Sequence, residues 1–176
     1  MVSFIEYADQ SDEHHCEWIA GVIEILPPLS EAQTRLRDML LDTLGDFIEG
    51  NGMGLLIAAP FAVRMPEEMQ QAREPDLVYV SNQYPETVQS NYVNSHGVGL
   101  VIEITDQRTR QQDYGQKLAD YEMAGIPEYW VIDVDRKQAD FYQLHDMTYQ
   151  PASLDASVYT SPVLRDYALS VASLFP

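Results

Sequence analysis

The chain has 176 residues, of which 45% are hydrophobic and 22% charged, and this composition predicts one globular domain spanning residues 1–176. Asp and Glu number 28 against 10 Lys and Arg, so the formal net charge is −18 at pH 7. Because a surface this acidic repels phosphate backbones, the overall charge cannot attract the protein to nucleic acid. A local basic strip, a metal ion or another chain would have to supply the attraction, and solubility alone also explains the acid excess.

Cysteine content and hydropathy indicate the cellular compartment that the protein occupies. The single cysteine, Cys16, excludes an internal disulfide and a Cys-rich zinc site, and it fits a reducing compartment. Residues 1–17 lack the basic and apolar regions of a secretion signal, and the apolar run 54–63 is too short to cross a bilayer. We therefore expect a cytoplasmic protein that does not enter membranes.

The first third of the chain predicts a hairpin followed by a long helix. Residues 17–26 favour a hairpin that turns at Gly21 and ends at the following prolines. Ser30 is typical of a helix N-cap, and the helix is expected to reach about Ile48. Its apolar residues form one stripe that should pack on a sheet: Leu36, Leu40, Leu44 and Phe47.

The middle of the chain predicts strands separated by polar segments. Residues 54–65 indicate one strand, 66–73 a mobile loop and 82–96 irregular surface. A further strand begins at or near Asp76. Residues 98–105 (VGLVIEIT) are almost continuously apolar, which is typical of a central strand covered on both faces.

The last third completes an α/β pattern. Residues 109–124 predict a helix with Tyr114, Leu118, Tyr121 and Met123 on its apolar side, and Gly125 is expected to end it. Strands are expected at 129–134 and 139–144, with shorter strands within 157–174. This order predicts a mixed β-sheet flanked by helices.

Glu103 is the residue that most clearly indicates a site. A carboxylate inside an apolar strand costs several kcal/mol unless it is paired or bound to a metal. Asp76, at the head of another strand, could meet Glu103 at one sheet edge, where a cation such as Mg²⁺ would relieve their repulsion. Lys117, one helical turn after Asp113, could place its ammonium at the same edge.

Each of these residues also has an ordinary structural explanation. Asp76 follows a proline and could be a turn residue, and Glu103 could pair with a buried Arg or Lys. Lys117 could form a surface ion pair with Asp113. The adjacent His14 and His15 stand in a polar N-terminus and do not predict a zinc pair.

Nearly the whole chain resembles the Uma-type family of restriction endonucleases, within the PD-(D/E)XK nuclease superfamily. The specific pieces are EPDLVYVS at 74–81, GLVIEITDQRTRQQDYGQKLADYEMAGIPEYWVIDVD at 99–135 and FYQL at 141–144. The end pieces, at 16–30 and 162–175, also fit. The resemblance implies a restriction-endonuclease-like α/β fold with a Mg²⁺-dependent phosphodiesterase site, in which Mn²⁺ could replace Mg²⁺.

The resemblance also implies roles for individual residues. Asp76 is the motif aspartate and Glu103 the second metal-binding acid, with the Ile104 carbonyl as a further candidate ligand. The motif lysine normally lies two residues after the second acid, where this chain has Thr105. Lys117 on the next helix, in step with Asp113, matches a lysine that has migrated in this family. Glu17 and Asp113 are further candidates for accessory residues that assist the metal site.

The chain departs from the family pattern around the central strand. Residues 106–109 read DQRT where Ser-Pro-Ser-Thr is common, and a histidine common early in the first long helix is missing, with Ala32 and Gln33 in that region. Val22 replaces an acid that is common after the early glycine. These departures bear on substrate handling more than on metal binding, because Asp76, Glu103 and Lys117 are present.

Two functions follow from these observations. The first is a metal-dependent endonuclease that acts on DNA, associates as a homodimer to cut both strands, and lines its cleft with a basic strip. The residues of that strip would be Arg64, Arg73, Arg108, Arg110 and Lys117. The second is a catalytically inactive binding or regulatory module that acts through a protein partner, which the acidity and the altered 106–109 segment favour.

Overall fold

Thirteen strands and four helices make up the described part of the chain. The computed structural model describes residues 1–9 and 15–175. The helices are α1 (Phe4–Ala8), α2 (Glu31–Gly50), α3 (Arg110–Gln112) and α4 (Leu118–Met123), with a π-helical turn at Asp113–Lys117 between the last two. The strands are β1 (Cys16–Ile19), β2 (Val22–Ile25), β3 (Gly54–Ala58), β4 (Ala62–Arg64), β5 (Gln71–Arg73), β6 (Leu77–Ser81), β7 (Tyr92–Asn94), β8 (Val98–Thr105), β9 (Glu128–Asp133), β10 (Gln138–His145), β11 (Thr148–Pro151), β12 (Val158–Thr160) and β13 (Ala168–Ser170).

The strands form two principal sheets and a small hairpin. The larger sheet has the order β11-β10-β9-β8-β6-β3, in which only the β8–β9 pair is parallel. The second sheet has the order β2-β1-β5-β4-β7, and β12 pairs with β13. The expected mixed sheet with flanking helices is confirmed, and β8 is the central strand that its apolar sequence predicted, with all eight residues buried.

The two faces of the larger sheet are covered differently. On one face, Leu100 and Ile102 pack against the apolar stripe of α2. On the other face, Val101 packs with residues of the second sheet and of α4, among them Val63 and Tyr121. Glu103 continues the second face by the alternation of the strand, so it points between the two sheets.

The predictions for the N-terminal hairpin and α2 are confirmed. β1 and β2 pair around the Ala20-Gly21 turn, and Ser30 caps α2 by accepting a hydrogen bond from the Gln33 N–H. The helix ends at Gly50, two residues beyond the expected end. Gly125 follows α4 with φ +75°, the left-handed conformation that a glycine adopts most easily.

Four expectations about the chain between 54 and 124 are wrong. Residues 54–65 form two strands in different sheets, because Pro60 has no N–H to donate to a ladder and the chain leaves the first sheet there. The expected mobile loop at 66–73 contains a 3₁₀ turn and strand β5, and residues 82–96 contain strand β7. Met123 is 64% exposed, since the π-helical turn shifts the residues after it around the helix axis.

No helix in the described ranges combines the length and apolar character that spanning a membrane requires.

Candidate active site

Strands β6 and β8 bring Asp76 and Glu103 to the same end of the sheet. The two strands are antiparallel, with Leu77 opposite Ile102 and Val78 opposite Val101. Extending this register by one residue places Asp76 opposite Glu103, with both side chains on the face between the sheets. Both line one cleft with Lys117, so the structure brings together the three residues expected to form the site.

Asp76 is held by the backbone of the neighbouring strand. Its Oδ2 accepts a hydrogen bond from the Ile104 N–H at 2.6 Å. Burial raises the pKa of Asp76 from its ordinary 3.8 to about 6, and the Ile104 N–H and Lys117 oppose this rise. An aspartate that is costly to ionise in this place would be stabilised by a cation.

Glu103 is paired rather than isolated in its apolar strand. Its Oε1 accepts hydrogen bonds from Lys117 Nζ at 2.9 Å and from the Tyr121 hydroxyl at 2.8 Å. Burial nevertheless raises the pKa of Glu103 well above its ordinary value, and the nearby carboxylates of Asp113 and Asp76 add to the rise while Lys117 opposes it. The lysine therefore compensates only part of the buried negative charge.

The π-helical turn directs Asp113 and Lys117 into the cleft together. Lys117 Nζ lies 3.7 Å from Asp113 Oδ1 and 3.1 Å from Glu17 Oε1, in addition to its contact with Glu103. Burial lowers the pKa of Lys117, but these three carboxylates outweigh it and hold the pKa well above its ordinary value. The surface ion pair considered for Lys117 and Asp113 is instead buried, with side chains 5% and 3% exposed.

Glu17 belongs to the same cluster through strand β1. Its Oε2 lies 2.5 Å from an Arg73 nitrogen, and its Oε1 accepts from the Glu74 N–H at 3.3 Å. Burial would raise the pKa of Glu17, yet Lys117 and Arg73 together hold it below its ordinary value. The two accessory candidates therefore both contact Lys117, one from β1 and one from the helix.

The Ile104 carbonyl is occupied by a side chain of α2. Gln33 Nε2 donates to it at 2.7 Å, while Gln33 Oε1 accepts from the Ser30 N–H at 2.8 Å and from Arg108 at 3.1 Å. One lone pair of the carbonyl oxygen is thereby used. The sequence does carry a signal for Gln33, because a Gln three residues after a Ser N-cap is typical of a capping box.

His15 and Glu74 form a pair that sequence reasoning missed. His15 Nδ1 lies 2.6 Å from Glu74 Oε1, and Glu74 lines the cleft. Burial raises the pKa of Glu74, and its hydrogen bond to His15 opposes the rise. The sequence carries no signal for this contact, which joins residues 59 positions apart, and His14 lies outside the described residues.

Comparison with known proteins identifies the family to which the chain belongs. Residues 2–172 match the model of the Uma2 family, described as "Putative restriction endonuclease". This chain belongs to the Uma2 family. A crystal structure from Anabaena variabilis, titled a "putative nuclease belonging to DUF820", is similar with a TM-score of 0.72, over 91% of this chain and 89% of that one. Their sequences are 14% identical, so this likeness shows the fold alone. A search of curated proteins finds no match.

The expected basic strip does not line the cleft of this Uma2 protein. Lys117 lines it, Arg108 reaches its edge by donating to Gln33 Oε1 at 3.1 Å, and Arg64, Arg73 and Arg110 are not among its lining residues. Each of the four arginines is engaged by another group: Arg73 with Glu17 and Asp120, Arg108 with Asp106, Arg110 with Asp133, and Arg64 over the ring of Phe4. The expectation was wrong because neighbours in sequence were assumed to share one surface.

The donor set of the Uma2 cleft fits a magnesium ion. No three Asp, Glu, His or Cys side chains within residues 1–9 and 15–175 are arranged to hold a metal by themselves. Mg²⁺ usually needs only one or two carboxylates and completes its shell with water and substrate phosphate. Asp76 and Glu103 meet that requirement, and the cleft of about 40 Å³ has room for a small cation with water ligands.

Proposed function

We propose that this Uma2 protein is a Mg²⁺-dependent endonuclease that hydrolyses phosphodiester bonds in DNA. The observation that carries the proposal is the placement of Asp76 opposite Glu103, with Lys117 Nζ 2.9 Å from the Glu103 carboxylate. Two carboxylates that are costly to ionise, beside a lysine and in one cleft, match the chemistry of metal-assisted phosphodiester hydrolysis. Membership of a family described as restriction endonucleases agrees with it.

Asp76 and Glu103 are the proposed metal ligands. Among the described residues, no protein group donates a hydrogen bond to Asp76 Oδ1 or to Glu103 Oε2. No fully buried side-chain oxygen there lacks a partner, so both of these oxygens are accessible from the cleft. These are the oxygens that we assign to Mg²⁺, or to Mn²⁺ in its place. Bound there, the ion supplies Lewis-acid polarisation of the phosphate and a water of lowered pKa. The Ile104 carbonyl is a proposed further ligand through its second lone pair.

Lys117 is proposed to stabilise charge in the transition state. Its pKa is held well above the ordinary value by Glu103, Glu17 and Asp113, so these carboxylates favour the charged ammonium. An ammonium already fixed at the cleft stabilises the charge that develops on the phosphate without reorganisation. We therefore assign Lys117 the role of a cation rather than that of a base.

Plasmid nicking tests the proposal. The wild-type protein should convert supercoiled DNA to the nicked form with Mg²⁺ or Mn²⁺ and not with EDTA. Glu103→Gln should reduce the rate by about 10² or more, because it removes one metal ligand. Glu128→Gln is the matched control, since Glu128 is also a buried strand glutamate but binds Trp130, Tyr159 and Ser161 away from the cleft. Equal nicking by wild type and Glu103→Gln would contradict the proposal.

A second function is favoured by the electrostatics. Arg73, Arg108 and Arg110 are paired with carboxylates, and the net charge is −18, so duplex DNA meets little positive surface. We propose, as the alternative, an inactive module that binds a protein partner. Absence of nicking with either ion, together with retained wild-type folding, would favour this alternative.

Homodimerisation is proposed for the nuclease only. Cutting both strands of a duplex requires two sites, and two-fold pairing is the commonest way to supply them. Sedimentation equilibrium should give about twice the 20.0 kDa chain mass if this holds. A monomer that nicks one strand would leave the nuclease proposal standing and exclude the dimer.

A further inference from the structure

Lys117 is held by a chain of buried charges that continues away from the cleft. We propose that Arg73 is a positioning residue: it fixes Glu17, and Glu17 in turn holds the Lys117 ammonium beside Glu103. The consequence for DNA cleavage rests on the proposed function, whereas the consequence for Lys117 itself does not.

The two oxygens of Glu17 serve two different cations. Oε1 lies 3.1 Å from Lys117 Nζ, and Oε2 lies 2.5 Å from Arg73 Nη1. The Glu17 side chain is fully buried, and those of Arg73 and Lys117 are 1% and 5% exposed. A carboxylate with both oxygens engaged in this way is a bridge between the cations and is poorly placed to bind a metal as well.

Arg73 is itself fixed at its far side. Its Nε and Nη2 donate to Asp120 Oδ2 at 2.9 and 2.5 Å, and Asp120 Oδ1 accepts from Gln116 at 3.0 Å. The guanidinium is a planar fork, so contacts on Nε, Nη1 and Nη2 fix its orientation as well as its position. The chain of contacts runs Asp120, Arg73, Glu17, Lys117, Glu103.

This arrangement explains how the flexible side chain of Lys117 is held in one position. A lysine ammonium ends a flexible four-carbon stem and has no preferred orientation of its own. Asp113, at 3.7 Å, is the third carboxylate within its reach, so Lys117 has more than one place to settle. Glu17, kept in place by Arg73, favours the position between Glu17 and Glu103. Without Arg73, Glu17 Oε2 would keep, among the described residues, only the long contact from Gln112 Nε2 at 3.4 Å, so Glu17 would hold Lys117 less firmly.

The arrangement also crosses the boundary between the sheets. Glu17 and Arg73 belong to β1 and β5 of the second sheet, whereas Glu103 belongs to β8 of the larger one. Arg73 and Asp76 lie three residues apart, on the segment that passes from one sheet to the other. The charge that orients Lys117 thus comes from the sheet that does not carry the proposed metal ligands.

Lysine-selective NMR tests the inference, because the chain has two lysines, Lys117 and the exposed Lys137. With ¹⁵N-lysine labelling, Lys117 should give an ammonium signal protected from exchange with water. Glu17→Gln and Arg73→Gln, which add no lysine, should each accelerate its exchange about tenfold or more, as expected when a hydrogen bond to a charged group is lost. Lys137 is the internal reference and should not change.

Glu128→Gln is the matched control, since it neutralises a buried carboxylate elsewhere and should leave the Lys117 signal unchanged. If Arg73→Gln does not fold, Asp120→Asn tests the far end of the same chain of contacts and should produce the same change. An unaltered Lys117 signal in Arg73→Gln, or in Asp120→Asn if Arg73→Gln does not fold, overturns the inference even where Glu17→Gln alters the signal. So does an equal change in Glu128→Gln.

Cleavage kinetics separate this inference from the proposed function. If the wild-type protein nicks DNA, Arg73→Gln should lower kcat with KM nearly unchanged, because it displaces a cation needed in the transition state. If the wild type does not cleave, the nuclease proposal fails, and the Lys117 signal still decides whether Arg73 positions the lysine.

Discussion

Lys117 Nζ lies 2.9 Å from Oε1 of Glu103, and both side chains are about 95% buried between the two sheets. Glu103 comes from the central strand and Lys117 from a π-helical turn fourteen residues later. Removing either partner would leave the other charge buried without its nearest compensation. This pair therefore connects the stability of the protein to its proposed chemistry.

Lys117→Met should destabilise the protein by about 3–5 kcal/mol, because three carboxylates lose the cation they share. Urea unfolding in EDTA measures the loss. Lys137→Met, at the exposed lysine, should change stability by no more than about 0.5 kcal/mol. Adding Glu103→Gln to Lys117→Met should recover part of the loss, and a double variant less stable than the single one would contradict the pairing.

Asp76→Asn should stabilise the metal-free protein at pH 8. Burial raises the pKa of Asp76 from 3.8 to about 6, so the folded state binds more protons than the unfolded state between those values. Stability is therefore lost as the pH rises through about 6, by on the order of 3 kcal/mol for this difference in pKa. Asn does not ionise and can still accept from the Ile104 N–H.

Unfolding with EDTA at pH 8 and at pH 4 measures this effect. The gain from Asp76→Asn should shrink to about 0.5 kcal/mol at pH 4, where Asp76 is protonated in the folded wild type and partly protonated in the unfolded chain, whose pKa is 3.8. Asp42→Asn, on the exposed side of α2, should have little effect at either pH. A gain that is equal at both pH values would show that ionisation of Asp76 is not its cause.

Gln33→Ala should destabilise the protein by about 1–3 kcal/mol, because it leaves the buried Ile104 carbonyl and the Ser30 N–H without their partners. Thermal unfolding measures this. Gln89→Ala is the control, since Gln89 is exposed and donates one hydrogen bond, to the Glu86 carbonyl. Equal melting temperatures for the two variants would contradict the role of Gln33 in fixing the peptide beside Asp76.

Much of the fold could be predicted because its signals are local. The apolar run at 98–105 predicted the central strand, and Ser30 predicted the start of α2. Residues 66–73 have a polar composition typical of a loop, yet they contain strand β5. Arg73 is buried there because Glu17 and Asp120, 56 and 47 positions away, neutralise it, and no local pattern reports such partners.

The candidate site, like the fold, could be predicted only in part from local sequence signals. Glu103 could be singled out on physical grounds, as one charge in an apolar strand. Asp76 and Lys117 required the family resemblance, because an acid after a proline and a lysine on a helix are common. The π-helical turn that directs Asp113 and Lys117 inward has no sequence signal that we recognised, and their burial in one cleft follows from the packing of the two sheets.

The proposed metal site also predicts a pH limit for binding. Protons and Mn²⁺ compete for the same carboxylates, and the pKa of Asp76 is about 6. The affinity for Mn²⁺ should therefore fall as the pH drops below about 6, by about tenfold for each proton displaced per pH unit. Calorimetric titrations at pH 5 and pH 7.5 measure this change, and an affinity independent of pH would exclude Asp76 as a ligand.

Direct Mn²⁺ titration of the wild type and of Asp76→Ala at pH 7.5, followed by calorimetry, tests the central claim without any assumption about substrate. The account predicts saturable binding to the wild type and loss of that binding in Asp76→Ala, with Glu128→Gln binding as the wild type does. Identical titrations of the wild type and Asp76→Ala would contradict the assignment of the metal to this cleft, and the nuclease proposal with it.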